Sequence, residues 1–207
     1  MTEKKWFPIG YMFVITAVFS SVIIGFTQVT RARVEANEKL AFERAVVTVL
    51  PEIGGGELTS GQIHQRFTEQ VSEPDVSSAG AYTLEKEGRV VAYALPISGQ
   101  GFWAPIHGVI GIAADRTTIT GIVFYQQNET PGLGAEITKP AFRNQFKGRT
   151  LSAGEKPINI KRPGAALGPG DVHAVTGATQ TCTRLERIIN TALDSWRSQI
   201  GKEGQGS

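Results

Sequence analysis

The sequence predicts an α+β fold in which a mostly antiparallel sheet is flanked by helices, behind one N-terminal transmembrane helix and a helical stalk. Three observations support this prediction. An uncharged apolar run occupies residues 6–27. Short β-branched and aromatic segments then follow one another between turn sequences, which favours hairpins over parallel strands joined by helices. Residues 181–200 finally place Leu, Ile, Ala and Trp at helical spacing, which indicates a helix packed on the core.

The apolar run (WFPIGYMFVITAVFSSVIIGFT) is long enough to cross about 30 Å of hydrocarbon. The alternative is a cleaved signal peptide, but such peptides have a shorter apolar core of about 7–15 residues before an Ala-x-Ala-like site. Thr30-Arg31-Ala32-Arg33 follows here instead, so residues 1–29 are predicted to be a retained anchor. Lys4 and Lys5 precede the span and two arginines follow it, so charge does not orient it. We expect the domain outside the cytoplasm, because a short basic tail rarely crosses the membrane.

Three further segments follow the anchor. Residues 30–53 predict the helical stalk, which Pro51 and the Gly54-Gly55-Gly56 run end. Residues 54–200 form the predicted domain, and residues 201–207 a disordered tail.

Within the domain, Glu87-Gly88 predicts a hairpin turn. The expected strands are residues 81–84, 89–95, 109–113, 119–126 and 158–160, and the expected short helices are residues 62–70 and 139–146. Residues 96–100 are expected to interrupt the strand pattern, and residues 162–170 to form a loop.

Composition excludes several classes of protein. The chain has 207 residues and a net charge of +2, so it lacks the basic excess of a nucleic-acid binder. Cys182 is the only cysteine, which rules out an intramolecular disulfide. His64, His107 and His173 follow no metal-ligand spacing, so no metal site is predicted. No general acid–base pair or nucleophile arrangement is evident, so no catalytic residue is predicted.

Two motifs carry the functional prediction. Thr176 to Arg184 (TGATQTCTR) place hydroxyl residues at the start of a helix, where free N–H groups favour an anion; a well-capped helix is the alternative. Residues 128–137 (NETPGLGAEI) contain Thr130-Pro131-Gly132, which fits a type II turn. Glycines on both sides of Leu133 allow a ligand close to the backbone, and an ordinary strand-to-helix turn is the alternative.

The segments ETPGLG (residues 129–134) and TGATQT (residues 176–181) together resemble the paired signatures of the FMN-binding domain family. This family includes the C subunit of the sodium-pumping NADH:quinone oxidoreductase and the G subunit of the Rnf electron-transport complex. Gly101-Phe102-Trp103 stands where these subunits have a Gly-x-Trp segment, and they too have an N-terminal span and a stalk. The resemblance therefore covers nearly the whole chain.

The resemblance implies FMN held covalently, with its phosphate joined by a flavin transferase to the hydroxyl of Thr179. Asp171 matches the acidic residue that the transferase recognises. Thr181 matches a following hydroxyl position, which would donate to the phosphate or cap the helix. The remaining residues implied for the phosphate end are Thr176, Gly177 and Ala178.

The flavin ring would be flanked by Glu129, Thr130, Leu133 and Gly134. Trp103 would either approach the flavin or lie in the core. Cys182 stands where many relatives have Ser, and we expect it to pack rather than to serve as an oxidation site.

The function implied is that of a membrane-anchored electron-transfer flavoprotein, a subunit of an ion-translocating oxidoreductase complex in the inner membrane. Its flavin domain would lie on the periplasmic side, and its partners would be the other membrane subunits and the flavin transferase. The residues do not decide between the Rnf and NADH:quinone types, nor do they give the coupling ion, electron donor, acceptor or redox potential. The alternatives are a signal-anchored, noncovalent flavin- or anion-binding module outside such a complex, and a flavin domain serving a stand-alone reductase or regulatory complex.

Overall fold

The computed structural model describes residues 6–154 and 156–203 and divides the chain into two compact units, up to Lys39 and from Leu40 onward. The first unit is the larger part of helix α1, Trp6–Val49. Its apolar side chains are exposed, for example Phe13 and Ile23. By length and composition this helix fits a single-pass membrane anchor. Lys4 and Lys5, the two positive charges before the span, lie outside the described residues.

The second unit begins with the last residues of α1, where Ala45 to Val49 are buried except Thr48. The helix ends at Val49, two residues before Pro51, because proline lacks the N–H that a continuing helix needs. Helix α2, Ser60–Gln70, begins with a capping box formed by Thr59 and Gln62. The expected short helix is therefore present and starts at Ser60 rather than at residue 62.

The predicted antiparallel sheet is confirmed. Five strands lie in the order β1-β2-β3-β4-β5, each antiparallel to its neighbours. Their bounds are Val71–Ser72, Tyr82–Lys86, Arg89–Gln100, Pro105–Ala113 and Ile119–Gln126. Glu87 and Gly88 join β2 to β3 with φ of 52° and 72°, the two positive values that a tight hairpin turn requires.

The expected interruption at residues 96–100 is wrong, because β3 continues to Gln100. Proline is excluded from strands where its missing N–H would break a ladder. Pairing with β2 reaches only Ala94, so Pro96 lies where β3 has β4 alone as a neighbour. A proline there costs the sheet no hydrogen bond if its nitrogen points away from β4.

Short elements connect the sheet to the last helix. A 3₁₀-helix, Gly134–Thr138, and helix α3, Pro140–Arg143, replace the single helix expected over residues 139–146. A parallel pair follows, β6 at Asn159–Lys161 and β7 at Asp171–His173. Strand β7 was not predicted, because three residues are too few to show alternation.

Helix α4, Thr179–Glu203, packs across β3 and completes the core. Its apolar stripe is buried, as predicted, at Leu185, Ile189, Leu193 and Trp196. The helix continues to Glu203, into the segment expected to be a disordered tail. Residues 204–207 of that predicted tail lie outside the described residues.

Candidate functional site

The carboxylate of Glu129 joins the two sequence motifs. It follows β5, lies only 4% exposed, and its Oε2 accepts a hydrogen bond of 2.5 Å from the hydroxyl of Thr181 on α4. Its Oε1 accepts from the backbone N–H groups of Phe102 (2.8 Å) and Trp103 (3.1 Å). One buried carboxylate therefore holds together the Gly-Phe-Trp segment, the ETPGLG loop and the first turn of α4.

Two glycines make room for this carboxylate. A Cβ on Gly134 would lie 2.5 Å from the Thr181 hydroxyl oxygen and 2.8 Å from Glu129 Oε2. A Cβ on Gly101 would lie 2.6 Å from Glu129 Oε1. Both positions need glycine because of this close packing, and neither has a positive φ.

The predicted type II turn is present in the ETPGLG loop. The N–H of Leu133 donates to the carbonyl of Thr130 at 3.1 Å, and Gly132 has φ of 75°. Leu133 is left 43% exposed, and its Cδ2 lies 3.0 Å from where a Cβ on Gly177 would be. The turn thus brings Leu133 to the TGAT segment.

Trp103 lies on the surface, so the alternative of a core tryptophan is wrong. The residue is 65% exposed, and its Nε1–H donates to the Thr130 hydroxyl at 3.1 Å. Phe102, 42% exposed, packs edge-on against it with ring centroids 4.9 Å apart. Phe102, Trp103 and Leu133 are three large apolar side chains exposed around the buried Glu129.

Thr179 is the first residue of α4 and lines a cavity of about 710 Å³. This volume lies within the range of about 300–1,000 Å³ typical of ligand sites. Thr179 and Thr176 are exposed, whereas Ala178 is buried. Gly177 has φ of 78°, a conformation that favours glycine. The cavity is lined by Ile160, Arg162, Pro163, Ala174, Val175, Thr176, Gly177, Thr179, Cys182, Thr183 and Glu186.

Thr181 differs from the other hydroxyl residues of its motif. It is 3% exposed and lies inside the helix that Thr179 begins, so it does not cap that helix. Its hydroxyl proton is used by Glu129. Of the two alternatives for Thr181, capping the helix is therefore wrong, and donation to a phosphate stays a prediction. In the structure its hydroxyl links the first turn of α4 to Glu129.

Asp171 is buried at the start of β7 and is not among the residues that line the Thr179 cavity. Its carboxylate accepts from Lys161 Nζ (2.7 Å), the Gly168 N–H (2.6 Å) and Asn159 Nδ2 (3.1 Å). The hydrogen bond from Lys161, with that from Gly168, lowers the pKa of Asp171. These contacts tie the residue 162–170 loop to β6 and β7; recognition by a transferase stays a prediction.

Cys182 is buried, and its sulfur accepts a hydrogen bond of 3.4 Å from the Val175 N–H. Burial raises the pKa of this thiol, which favours the unreactive protonated form. Both observations agree with the packing role expected from the sequence. In the described part of the chain, no group of three or more His, Cys, Asp or Glu side chains is placed to hold a metal ion.

The sequence analysis did not name Arg162, Thr183 or Phe102 as site residues, although Thr183 stands in the TGATQTCTR segment and Phe102 in the Gly-Phe-Trp segment. Arg162 and Thr183 line the cavity with Thr179, and Phe102 shares the exposed apolar surface with Trp103. Arg162 precedes a proline in a glycine-rich loop, and nothing local links such a loop to the start of α4. Thr183 lies one helical turn after Thr179, and that spacing was a signal available in the sequence.

The fold and the joined motifs define a class of small domain with an exposed hydroxyl at a helix start beside an apolar surface. Residues 101–194 match the FMN-binding domain family. The matched range contains both motifs, and the resemblance found in them is confirmed.

Several curated relatives are named as the C subunit of the Na⁺-translocating NADH-quinone reductase. The protein of that name from Chlamydia pneumoniae is 34% identical over 140 residues, which cover 59% of this chain and 44% of the relative. The one from Vibrio vulnificus is 33% identical over 129 residues, covering 60% and 49%. This chain thus spans about half the length of the curated relatives it matches.

Two solved structures share the fold. The C subunit of the same reductase from Parabacteroides distasonis has a TM-score of 0.65 at 24% identity, covering 80% of this chain and 94% of that one. NqrC from Shewanella oneidensis has a TM-score of 0.65 at 20% identity, covering 81% and 99%. At these identities the likeness concerns the fold alone.

Proposed function

We propose that this chain is a single-pass electron-transfer subunit that carries FMN as a phosphoester on Thr179. We propose further that it works in an ion-translocating complex of the Na⁺-translocating NADH-quinone reductase type, with the flavin domain outside the cytoplasm. The names of the curated relatives favour this type over Rnf. The long apolar helix α1 supports membrane anchoring.

The observation that carries the proposal is the contrast between Thr179 and Thr181. A flavin transferase needs a hydroxyl that it can reach. Thr179 offers one at the exposed start of α4, beside a cavity, whereas Thr181 is buried and bonded to Glu129. Thr176 and Thr183 are also exposed in the cavity. The family signature selects Thr179 among the three.

The surroundings of Thr179 suit a phosphate. The free N–H groups at the start of a 25-residue helix give its end a partial positive charge. Arg162 also lines this cavity and brings a positive charge to it. The carboxylate of Glu186, another lining residue, accepts hydrogen bonds from Lys156 Nζ and the Ile160 N–H. The expected contribution of Arg162 is to the affinity for the phosphate and to the loading rate.

The exposed side chains of Phe102, Trp103 and Leu133 suit a planar apolar ring. Leu133 reaches Gly177, two residues before the proposed attachment point, so this surface adjoins the ester site. FMN, when bound, supplies reversible electron transfer. The chain's own residues would hold it: Thr179 by the ester, the apolar side chains by contact, and Glu129 by fixing the loops that carry them.

The test is covalent flavin loading of the full chain co-expressed with a flavin transferase. Thr179→Ala should abolish the fluorescent flavin band on a denaturing gel, whereas the matched Thr183→Ala, in the same cavity, should keep it. A band that persists in Thr179→Ala contradicts the attachment site. Flavin that co-purifies but is released on denaturation would instead support the noncovalent module.

The proposal of a membrane complex is tested separately, by purifying the detergent-extracted chain from its natural membrane. Recovery with further integral subunits and NADH-dependent quinone reduction is expected. Recovery with a single soluble reductase or a regulatory protein would instead favour a flavin domain that serves a stand-alone reductase or a regulatory complex.

A further inference from the structure

The second half of strand β3 is an open sheet edge, although β3 is the middle strand of the sheet. Its pairing with β2 ends at the Tyr82–Ala94 pair. Its pairing with β4 continues without a bulge to the Gln100–Pro105 pair. From Leu95 to Gln100, therefore, β3 has a neighbouring strand on one side only.

The phase of the ladder shows which backbone groups face outward. Two hydrogen bonds continue the β3–β4 ladder beyond its ends. The Gly101 N–H donates to the Ala104 carbonyl, and the Ala114 N–H donates to the Val91 carbonyl, so the β3-side residue is odd-numbered in both. Because antiparallel pairs alternate, odd residues bond to β4 and even residues point away from it. Pro96, Ser98 and Gln100 therefore face the open edge.

These outward groups have no hydrogen-bond partner in the described part of the chain. They are the carbonyls of Pro96, Ser98 and Gln100 and the N–H groups of Ser98 and Gln100. Pro96 has no backbone N–H to offer an added strand, and proline at a sheet edge is a known way to limit pairing there. The open stretch is therefore short and has a defined end.

Helix α4 runs beside this edge and forms a groove with it of about 490 Å³. Ile188 fixes the helix on the strand, because a Cβ on Gly99 would lie only 2.6 Å from Ile188 Cγ1. The groove is lined by Pro96, Ser98, Gly99, Gln100, Arg184, Arg187, Ile188, Thr191, Ala192 and Ser195.

The groove carries positive charge without a counter-charge. Its lining includes Arg184 and Arg187 and no Asp or Glu. Neither arginine forms an ion pair within residues 6–154 and 156–203. The Nε of Arg184 is buried without a hydrogen-bond partner, and its guanidinium carbon lies 5.9 Å from the centre of the Phe102 ring.

We propose that this groove binds an extended acidic segment of a partner protein, which adds a strand to the open edge of β3. The free backbone groups of residues 96–100 would pair with the segment, as in other cases of strand addition. Acidic residues at alternate positions of the segment would face Arg184 and Arg187, because strand side chains alternate between two faces.

A second copy of this chain is a poorer occupant. Edge-to-edge pairing of two β3 strands would bring the arginines of both copies to one interface, and like charges there oppose association. The inference does not depend on the flavin proposed above. The partner would bind strand residues that end directly before Gly101-Phe102-Trp103, and it would also contact α4, the helix that begins at Thr179.

The experiment uses the full chain in detergent and the peptide acetyl-Glu-Val-Glu-Val-Glu-Val-amide as probe, with binding measured by calorimetry. Hydrogen exchange should slow at residues 95–101 on binding. The analogue with Lys in place of Glu should bind at least about tenfold more weakly because it loses charge complementarity. An analogue N-methylated at alternate residues should also bind at least about tenfold more weakly because it loses strand pairing.

Variants of the chain separate the two contributions. Arg187→Glu should weaken binding by about tenfold or more, whereas the control Lys147→Glu, outside the groove, should not. Ser98→Pro removes an outward N–H and should abolish binding, whereas Ser98→Ala should keep it. If Ser98→Pro does not fold, the N-methylated peptide tests the same bond on the unaltered chain.

Three results would overturn the proposal: equal binding of the Glu and Lys peptides, exchange protection outside residues 95–101, or no binding at millimolar peptide. Dimerisation of the chain through residues 95–101, seen by the same exchange measurement without peptide, would assign the edge to a second copy and overturn it as well.

Discussion

The substitution Thr181→Val tests whether the buried carboxylate organises the site. Valine has the shape and the helix propensity of threonine but cannot donate to Glu129 Oε2, which now accepts at 2.5 Å. Leaving one buried charged acceptor without this donor should lower the free energy of unfolding by about 1–3 kcal/mol. For a domain of this size that corresponds to a fall of roughly 2–12 °C in Tm.

The assay is thermal unfolding of the full chain in detergent, followed by circular dichroism, alongside flavin loading on a denaturing gel. Because the Thr181 hydroxyl is buried and faces Glu129, the variant should still accept covalent flavin when expressed at low temperature. The control Thr183→Val removes an exposed hydroxyl of the same helix and should change stability by less than about 0.5 kcal/mol. Unchanged stability together with lost flavin would refute the reasoning, because it would make Thr181 a flavin-binding residue rather than a support of the fold.

Three more predictions follow from the same structure. Gly134→Ala should cost about 1–3 kcal/mol of unfolding free energy because its Cβ would clash with Thr181 and Glu129, whereas Gly61→Ala, with nothing within 4 Å, should be neutral or slightly stabilising; chemical denaturation compares them. Hydrogen bonds from the Thr118 hydroxyl and from the N–H groups of Thr118 and Thr117 together lower the pKa of Asp115 from 3.8 to about 2, below its unfolded value, so its stabilisation should be full above about pH 4 and be lost toward pH 2. A Tm-against-pH curve that is the same for Asp115→Asn as for the unaltered chain would contradict this. Trp103→Ala should leave Tm within about 1 °C, because the residue is 65% exposed, but change the fluorescence of the loaded flavin; an unchanged flavin spectrum would remove Trp103 from the site.

Local chemistry made much of the fold predictable. Glu87-Gly88 indicates a hairpin because glycine readily adopts the positive φ of a tight turn, and Gly132 of Thr130-Pro131-Gly132 indicates its turn for the same reason. Pro51 ends α1 by the rule that proline cannot continue a helix. In each case the deciding interaction lies within four residues.

The parts that could not be predicted depend on distant neighbours. Whether Pro96 breaks a strand depends on where β2 stops, which its own sequence does not indicate. The sequence grouped Glu129 and Thr181 through a family signature but gave no sign that they touch, since 52 residues separate them. Arg162 lines the cavity directly after Lys161 of β6, which pairs with Asp171 of β7, a contact across ten residues that its own sequence does not indicate.

The central claim is that FMN is attached to Thr179, and peptide mass spectrometry tests it most directly. Trypsin cleaves after Lys161 and Arg184 and does not cut before Pro163, so one peptide holds Thr176, Thr179, Thr181 and Thr183. In protein from the natural source, this peptide should carry the mass of one FMN minus water, and fragmentation should locate it on Thr179. An unmodified peptide, or FMN on any of the other three threonines, would contradict the account.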